Sequence, residues 1–261
     1  MTDRSGAARG ETPRTRYVAL GSSMAAGPGI PPRARGAPWG SGRSARNYAH
    51  LVADRLNLDL VDVTFSGATT AHLLTARQRG APPQIDALDG SEALVTITIG
   101  GNDVGYVPLL VAASLPRPAR LLPRIAALLD PRAREDALGR AGDSLREVGA
   151  AVRRRAPRAR VVFVDYLTLL PPAGVPAPPL SQTDADLGRH VAARLEELTA
   201  AAAEATGCEI VRAGQASRAH HAWSADPWTV GAGWPLPWRP APFHPNAAGM
   251  RAVAELIVRS A

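Results

Sequence analysis

The sequence predicts an α/β protein, a three-layer α/β/α sandwich built on a central, mainly parallel five-stranded sheet. Two observations carry that expectation. Short runs rich in β-branched and aromatic residues alternate with longer stretches of helical periodicity, the order that βαβ units produce. The chain of 261 residues, 46% hydrophobic and 20% charged, is long enough to bury one sizeable core and shorter than two average domains.

The expected strands are Tyr17–Leu20, Leu58–Phe65, Ala93–Ile99, Val161–Tyr166 and Cys208–Ala213, and the expected helices lie near Ser44–Leu56, Arg132–Arg155, Asp184–Ala205 and Asn246–Arg259. Gly207 follows the third of these helices, where a C-terminal glycine belongs. Asn246 is placed to cap the last one. The segments Pro108–Pro131 and Leu170–Leu180 break the rhythm. Proline removes backbone donors and resists regular structure, so both read as insertions lying over the domain. Residues 1–15 are polar and basic and are expected to form a disordered tail, which leaves 16–261 as the folded domain.

A net charge of +7 raises the question of nucleic acid or an anionic surface as partner. Every basic residue is an arginine. The densest group, Arg153, Arg154, Arg155, Arg158 and Arg160, falls where a helix ends before a strand, and cations there suit the negative end of the helix dipole. No basic–aromatic recognition motif accompanies them, so no nucleic-acid partner is expected. With so much Ala, Gly and Pro, the arginine-only pattern reads as a coding bias. The single cysteine, Cys208, cannot close an intrachain disulfide, and nothing therefore requires an oxidising compartment. No apolar stretch has signal-peptide or membrane-spanning length, so the expectation is a cytoplasmic protein without stable membrane insertion, export by another route staying open.

In open parallel sheets, ligands sit at the carboxyl ends of the strands. After the first expected strand comes Gly21-Ser22-Ser23-Met24, after the second Ser66-Gly67-Ala68, after the third Gly100-Gly101-Asn102-Asp103, and before the last helix Phe243-His244-Pro245-Asn246. Serine, glycine, asparagine and histidine should thus meet at one edge. A serine hydroxyl is a poor nucleophile until an imidazole takes its proton, and the charge that attack creates needs donors set in advance. A Gly-Ser-Ser turn alone is usually only a turn; its company makes the pattern specific. His220 and His221 are adjacent but have no partner at a recognised ligand spacing, so no metal is expected, and His50, His72 and His190 read as ordinary helix side chains. Trp223, Trp228, Trp234 and Trp238 crowd the loop before His244, either lining a substrate pocket or packing that loop.

These four blocks, in this order, resemble those of the SGNH (GDSL-like) hydrolases, most closely the actinobacterial lipases and esterases, over about Arg16 to Arg259. The resemblance implies a flavodoxin-like sandwich with Ser23 as nucleophile, since Gly27 four residues on sets the register, and His244 as general base. It implies an oxyanion hole made by the N–H groups of Ser23 and Gly67 and the side-chain amide of Asn102. Glycine at 67 is expected because a backbone without Cβ can approach closely. Pro245, Asn246 and Gly249 follow the histidine as they commonly do in the family.

Two positions depart from the family pattern. Ser22 stands where an aspartate is usual, and Ala241 occupies the place, three residues before the histidine, where the acid is expected. A main-chain carbonyl from Arg239–Pro242 is then expected to accept the Nδ1 hydrogen, giving a Ser23–His244 dyad, with Asp226 as the reserve acid. The segment Trp223–Trp228 is similar to one that secreted relatives carry with cysteines, which are missing here. The implied reaction is hydrolysis of a small-molecule acyl ester through an acyl-Ser23 intermediate, with no cofactor. Acyl transfer to an alcohol or sugar is an alternative, and so is a catalytically silent binding module, which the alanine at 241 would allow.

Overall fold

The computed structural model describes residues 15–234, 236 and 238–260. The expected tail, 1–15, lies outside them apart from Thr15. Strands β1 (Arg16–Gly21), β2 (Asp59–Asp62), β3 (Leu94–Thr98), β4 (Arg160–Val164) and β5 (Glu209–Val211) form one sheet in the order β2-β1-β3-β4-β5, every pair parallel. The helices are α1 (Ser23–Ala26), α2 (Tyr48–Leu56), α3 (Thr70–Leu74), α4 (Tyr106–Ala113), α5 (Arg117–Arg120), α6 (Pro123–Ala126), α7 (Pro131–Arg155), α8 (Gln182–Ala205), α9 (Ala213–Ala216) and α10 (Ala247–Arg259). The sandwich foreseen from the sequence is therefore the one observed.

Alternation along each strand sends side chains to two cores. Val18 and Leu20 of β1, Val95 and Ile97 of β3, and Val161 and Phe163 of β4 pack with Leu138, Leu145 and Val152 of α7 and Val191 and Leu195 of α8. Tyr17, Ala19, Leu94, Val162 and Val164 pack instead with Tyr48 and Val52 of α2 and Met250 and Ile257 of α10. Both faces being covered explains why the central strands read as continuous apolar runs. Hydroxyls inside the sheet are paired between strands and between helix and strand, Tyr17 with Thr96 and Tyr48 with Thr98, each at 2.8 Å.

The local signals act where they were read. Asn246 caps α10 by accepting from the Gly249 N–H at 3.0 Å. Gly207, just past α8, adopts φ +64, the left-handed conformation that ends a helix. Asp130 caps α7 and Pro131 opens it.

Three expectations change. The helix foreseen from Ser44 starts at Tyr48, because Asn47 takes the cap and its side chain accepts from the His50 N–H. The second strand ends at Asp62 rather than at Phe65. There the Asp62 carboxylate accepts from both the N–H and the hydroxyl of Thr64, although the Val63 and Phe65 N–H groups still reach Ala19 and Gly21 of β1. The segment Pro108–Pro131 is not all surface insertion. Its first part belongs to α4, whose Leu109 and Leu110 are fully buried. Pro108 is tolerated because it lies in the first turn, where no intrahelical donor is required.

Candidate functional site

Gly21 ends β1 at φ +151, and a Cβ there would stand 2.5 Å from the Thr98 carbonyl oxygen of β3. Only glycine lets the chain leave the sheet so close to its neighbour. Gln84 fastens the exit by accepting from the Gly21 N–H and donating to the Gly21 carbonyl, at 2.7 and 3.0 Å. Ser23 then opens α1, and Gly27 closes that single turn at φ +73.

At the other end of the chain, the segment before α10 is clamped onto the stretch that follows Pro227. Val230 N–H donates to the His244 carbonyl, Phe243 N–H to Val230, and Asn246 N–H to Trp228. Phe243 takes φ +58, a left-handed backbone unusual for an aromatic residue, and the buried ring holds it there. On either side of that twist the Pro242 carbonyl oxygen lies 2.7 Å from His244 Nδ1.

His244 Nε2 is 2.8 Å from Ser23 Oγ, a contact that joins residues 221 positions apart. Both side chains are largely buried, at 8% exposure. Burial holds the imidazole below the ordinary histidine value, against the pull of the Pro242 and Ala241 carbonyls. The ring is therefore neutral at neutral pH. With Nδ1–H donated to Pro242, Nε2 is left as the acceptor facing the hydroxyl.

The donors foreseen for a developing oxyanion stand at the neighbouring strand ends. The N–H groups of Ser23 and Gly67 find no protein acceptor among the described residues. Asn102 Nδ2 donates one hydrogen to the Ala68 carbonyl at 2.8 Å, which leaves its second hydrogen available. The backbone at Gly67, at φ +80, gives a further reason for glycine there, and a Cβ would meet no protein atom nearer than Gln78 at 3.7 Å. Close packing against protein operates at Gly101, where a Cβ would lie 2.2 Å from the Tyr166 ring.

Asp226, the reserve acid, does not reach His244. One of its carboxylate oxygens lies 3.3 Å from His220 Nδ1, while His244 Nδ1 is already taken by Pro242. Ala241 contributes its main chain only, its N–H donating to Pro28. Asp226→Asn should accordingly leave kcat unchanged in a steady-state ester assay, and a large loss would return the acid role to it. His220 stacks on Trp228 with ring centroids 4.0 Å apart, and His221 accepts from the Trp223 N–H. His50, His72 and His190 pair with Asn47, Thr69 and Glu135. Of the four tryptophans, Trp223 and Trp228 pack the loop against the two cores, whereas Trp234 and Trp238 are exposed.

Sequence reasoning missed Tyr166 and Gln84. The Tyr166 hydroxyl accepts from the Gly101 N–H at 2.9 Å and lies 3.2 Å from Ser22 Oγ, so it ties the serine loop to the asparagine loop. It sits just beyond β4, a strand whose carboxyl end could have been searched like the others. Next to it a cavity of about 230 Å³ is lined by Leu167, Leu169, Leu170, Leu195 and Asp165. Burial pushes the Asp165 carboxyl up to about 7, although one oxygen accepts from the Gly214 N–H.

A hydroxyl and a neutral imidazole joined at the carboxyl edge of a parallel sheet, beside two unengaged N–H groups and an amide, are the equipment of the serine-nucleophile class of α/β enzymes. The chain belongs to the GDSL-like lipase/acylhydrolase family, which it matches over residues 19–252. It is 34% identical to Lipase 2 of Streptomyces coelicolor, over 94% of this chain and 85% of that protein. Among solved structures it is similar to an extracellular lipase of Streptomyces rimosus, with a TM-score of 0.77, 25% identity and coverage of 94% and 98% of the two chains. The fold also matches phospholipase A1 of Streptomyces albidoflavus NA297, with a TM-score of 0.80 at 24% identity over 95% of this chain and 100% of that one.

Proposed function

We propose that the chain hydrolyses carboxylic esters through an acyl-Ser23 intermediate, with His244 as the proton carrier and Ser23, Gly67 and Asn102 as the oxyanion donors. The family's reaction class supports the ester chemistry. The observation that carries the residue assignment is the 2.8 Å contact between Ser23 Oγ and His244 Nε2.

In the first half-reaction, Nε2 takes the hydroxyl proton as Oγ bonds to the ester carbonyl carbon. The carbonyl oxygen becomes negative within reach of the N–H groups and the Asn102 amide. The C–O bond to the alcohol then breaks, and the proton passes from Nε2 to the departing alkoxide. Water repeats the sequence in place of the alcohol, giving the acid and free Ser23. Pro242 keeps the ring in its productive tautomer but supplies a dipole where an aspartate would supply a full charge, so the imidazolium is stabilised less.

The test is turnover of short-chain p-nitrophenyl esters together with labelling by a fluorophosphonate. Wild type should hydrolyse the esters and carry the label on Ser23, and Ser23→Ala should do neither. Equal rates in the two proteins would end the assignment. The same assay reads the histidine. Because His244 must be neutral and burial lowers its pKa, kcat/KM should fall only on acidification, with its half-maximum below about pH 6.5. A half-maximum above that value would point to a different base.

A further inference from the structure

All five strands are parallel, so their carboxyl ends share one edge with Ser23. The connections leaving that edge are 27–47 after β1, 66–83 after β2, 104–129 after β3, 166–181 after β4 and 227–246 before α10. Together they contain ten arginines and no aspartate or glutamate. The acids that flank them are engaged or buried: Asp103 with Thr70, Asp130 capping α7, Asp226 with His220, and Asp165 buried below the edge.

The same connections hold every exposed large apolar side chain among the described residues. Trp39 stands after β1, Leu121 and Leu122 after β3, Val175 after β4, and Trp234 and Trp238 before α10; the three indoles are about four-fifths exposed, at 80%, 82% and 81%. Three of the connections touch, those after β1, after β2 and before α10. The Arg79 guanidinium sits 5.5 Å from the Trp39 ring, and the Ala241 N–H donates to the Pro28 carbonyl. Arg35, Arg46, Arg79, Arg117, Arg124 and Arg239 are exposed and make no ion pair among the described residues.

We infer that this edge docks peripherally on a bilayer carrying anionic lipids, with the indoles seated at headgroup depth and the arginines on lipid phosphates. Indole rings favour the boundary between water and hydrocarbon, and basic side chains near an anionic leaflet add attraction that salt screens. A polyanion such as a nucleic acid would use the arginines but leave the exposed leucines and tryptophans without a purpose. No helix among the described residues is long and apolar enough to cross a membrane, and peripheral docking needs none. The surface stands on residues other than the dyad, so its failure and that of the ester reading are separable.

The experiment is co-sedimentation of the full chain with phosphatidylcholine vesicles and with vesicles containing roughly one third phosphatidylglycerol, at low and high salt, while tryptophan emission is followed. The protein should partition onto the anionic vesicles with a blue shift and be released by salt. Arg35→Ala with Arg79→Ala should weaken partitioning by about five-fold per arginine, and so should Arg117→Ala with Arg124→Ala in a different connection. Trp39→Ala with Trp238→Ala should abolish most of the blue shift. Turnover of a soluble short-chain ester should stay at the wild-type level in all three variants, which also reports that they fold. Equal retention on neutral and anionic vesicles, retention on neither, indifference to the substitutions, or tighter binding to a DNA duplex at the same salt would overturn the inference.

Discussion

His244→Ala should lower kcat by about 10⁴- to 10⁶-fold on any ester that wild type turns over, with KM changed far less. The size follows from the geometry. His244 Nε2 is the only basic atom in hydrogen-bond contact with Ser23 Oγ among the described residues, so its removal leaves a hydroxyl that must attack with its proton on. The fold should survive, because the neutral ring contributes two hydrogen bonds and modest packing, about 1 kcal/mol each by the usual balance. Stopped assays at high enzyme concentration, paired with a thermal melt, separate the two effects. A variant that melts normally and keeps more than about a tenth of the rate would mean that another base serves Ser23.

Asn102→Ala should cost about 10²–10³ in kcat, or roughly 3–4 kcal/mol of transition-state stabilisation, again with little change in KM. The amide already holds the Ala68 carbonyl, so truncation removes an anchor of the Gly67 loop together with the donor proposed for the oxyanion. Stability should fall by only about 1 kcal/mol, the net worth of one ordinary hydrogen bond. Asn102→Asp is the sharper companion: a carboxylate of the same shape puts negative charge where negative charge develops, and should be at least as inactive as the alanine variant. Retained turnover in either protein would remove Asn102 from the oxyanion hole.

The departures from the family pattern become intelligible once the chain is folded. Ser22 stands in the usual aspartate position, and its hydroxyl meets Tyr166, which also takes the Gly101 N–H. Support for the nucleophile loop thus runs from Ser22 to a hydroxyl beyond β4, with Gln84 holding Gly21 from the other side. The alanine at 241 is matched by the Pro242 carbonyl, reached because Phe243 turns left-handed. The sequence limited that acceptor to four residues but could not choose among them, since φ at a non-glycine residue is set by what packs around it. Asp226 was a reasonable reserve by proximity along the chain, but its carboxylate meets His220, six residues before it, and not His244, eighteen residues after it.

Local chemistry alone determined much of this protein. The alternation of β-type and helical runs announced a parallel sheet with two covered faces. Asn246 and Gly207 marked where helices begin and end, and the four ordered blocks, through the family resemblance they carry, named the candidate site residues. These features are legible because each depends on a few consecutive side chains and on backbone preferences that act wherever the chain goes. What only the tertiary structure decided is whatever depends on distant segments meeting: which carbonyl orients His244, why Gly67 and Gly101 are glycines for different reasons, the role of Tyr166, and the gathering of unpaired arginines and bare indoles on one edge. Those are properties of contacts and of surface, and surface exists only after the chain has chosen its inside.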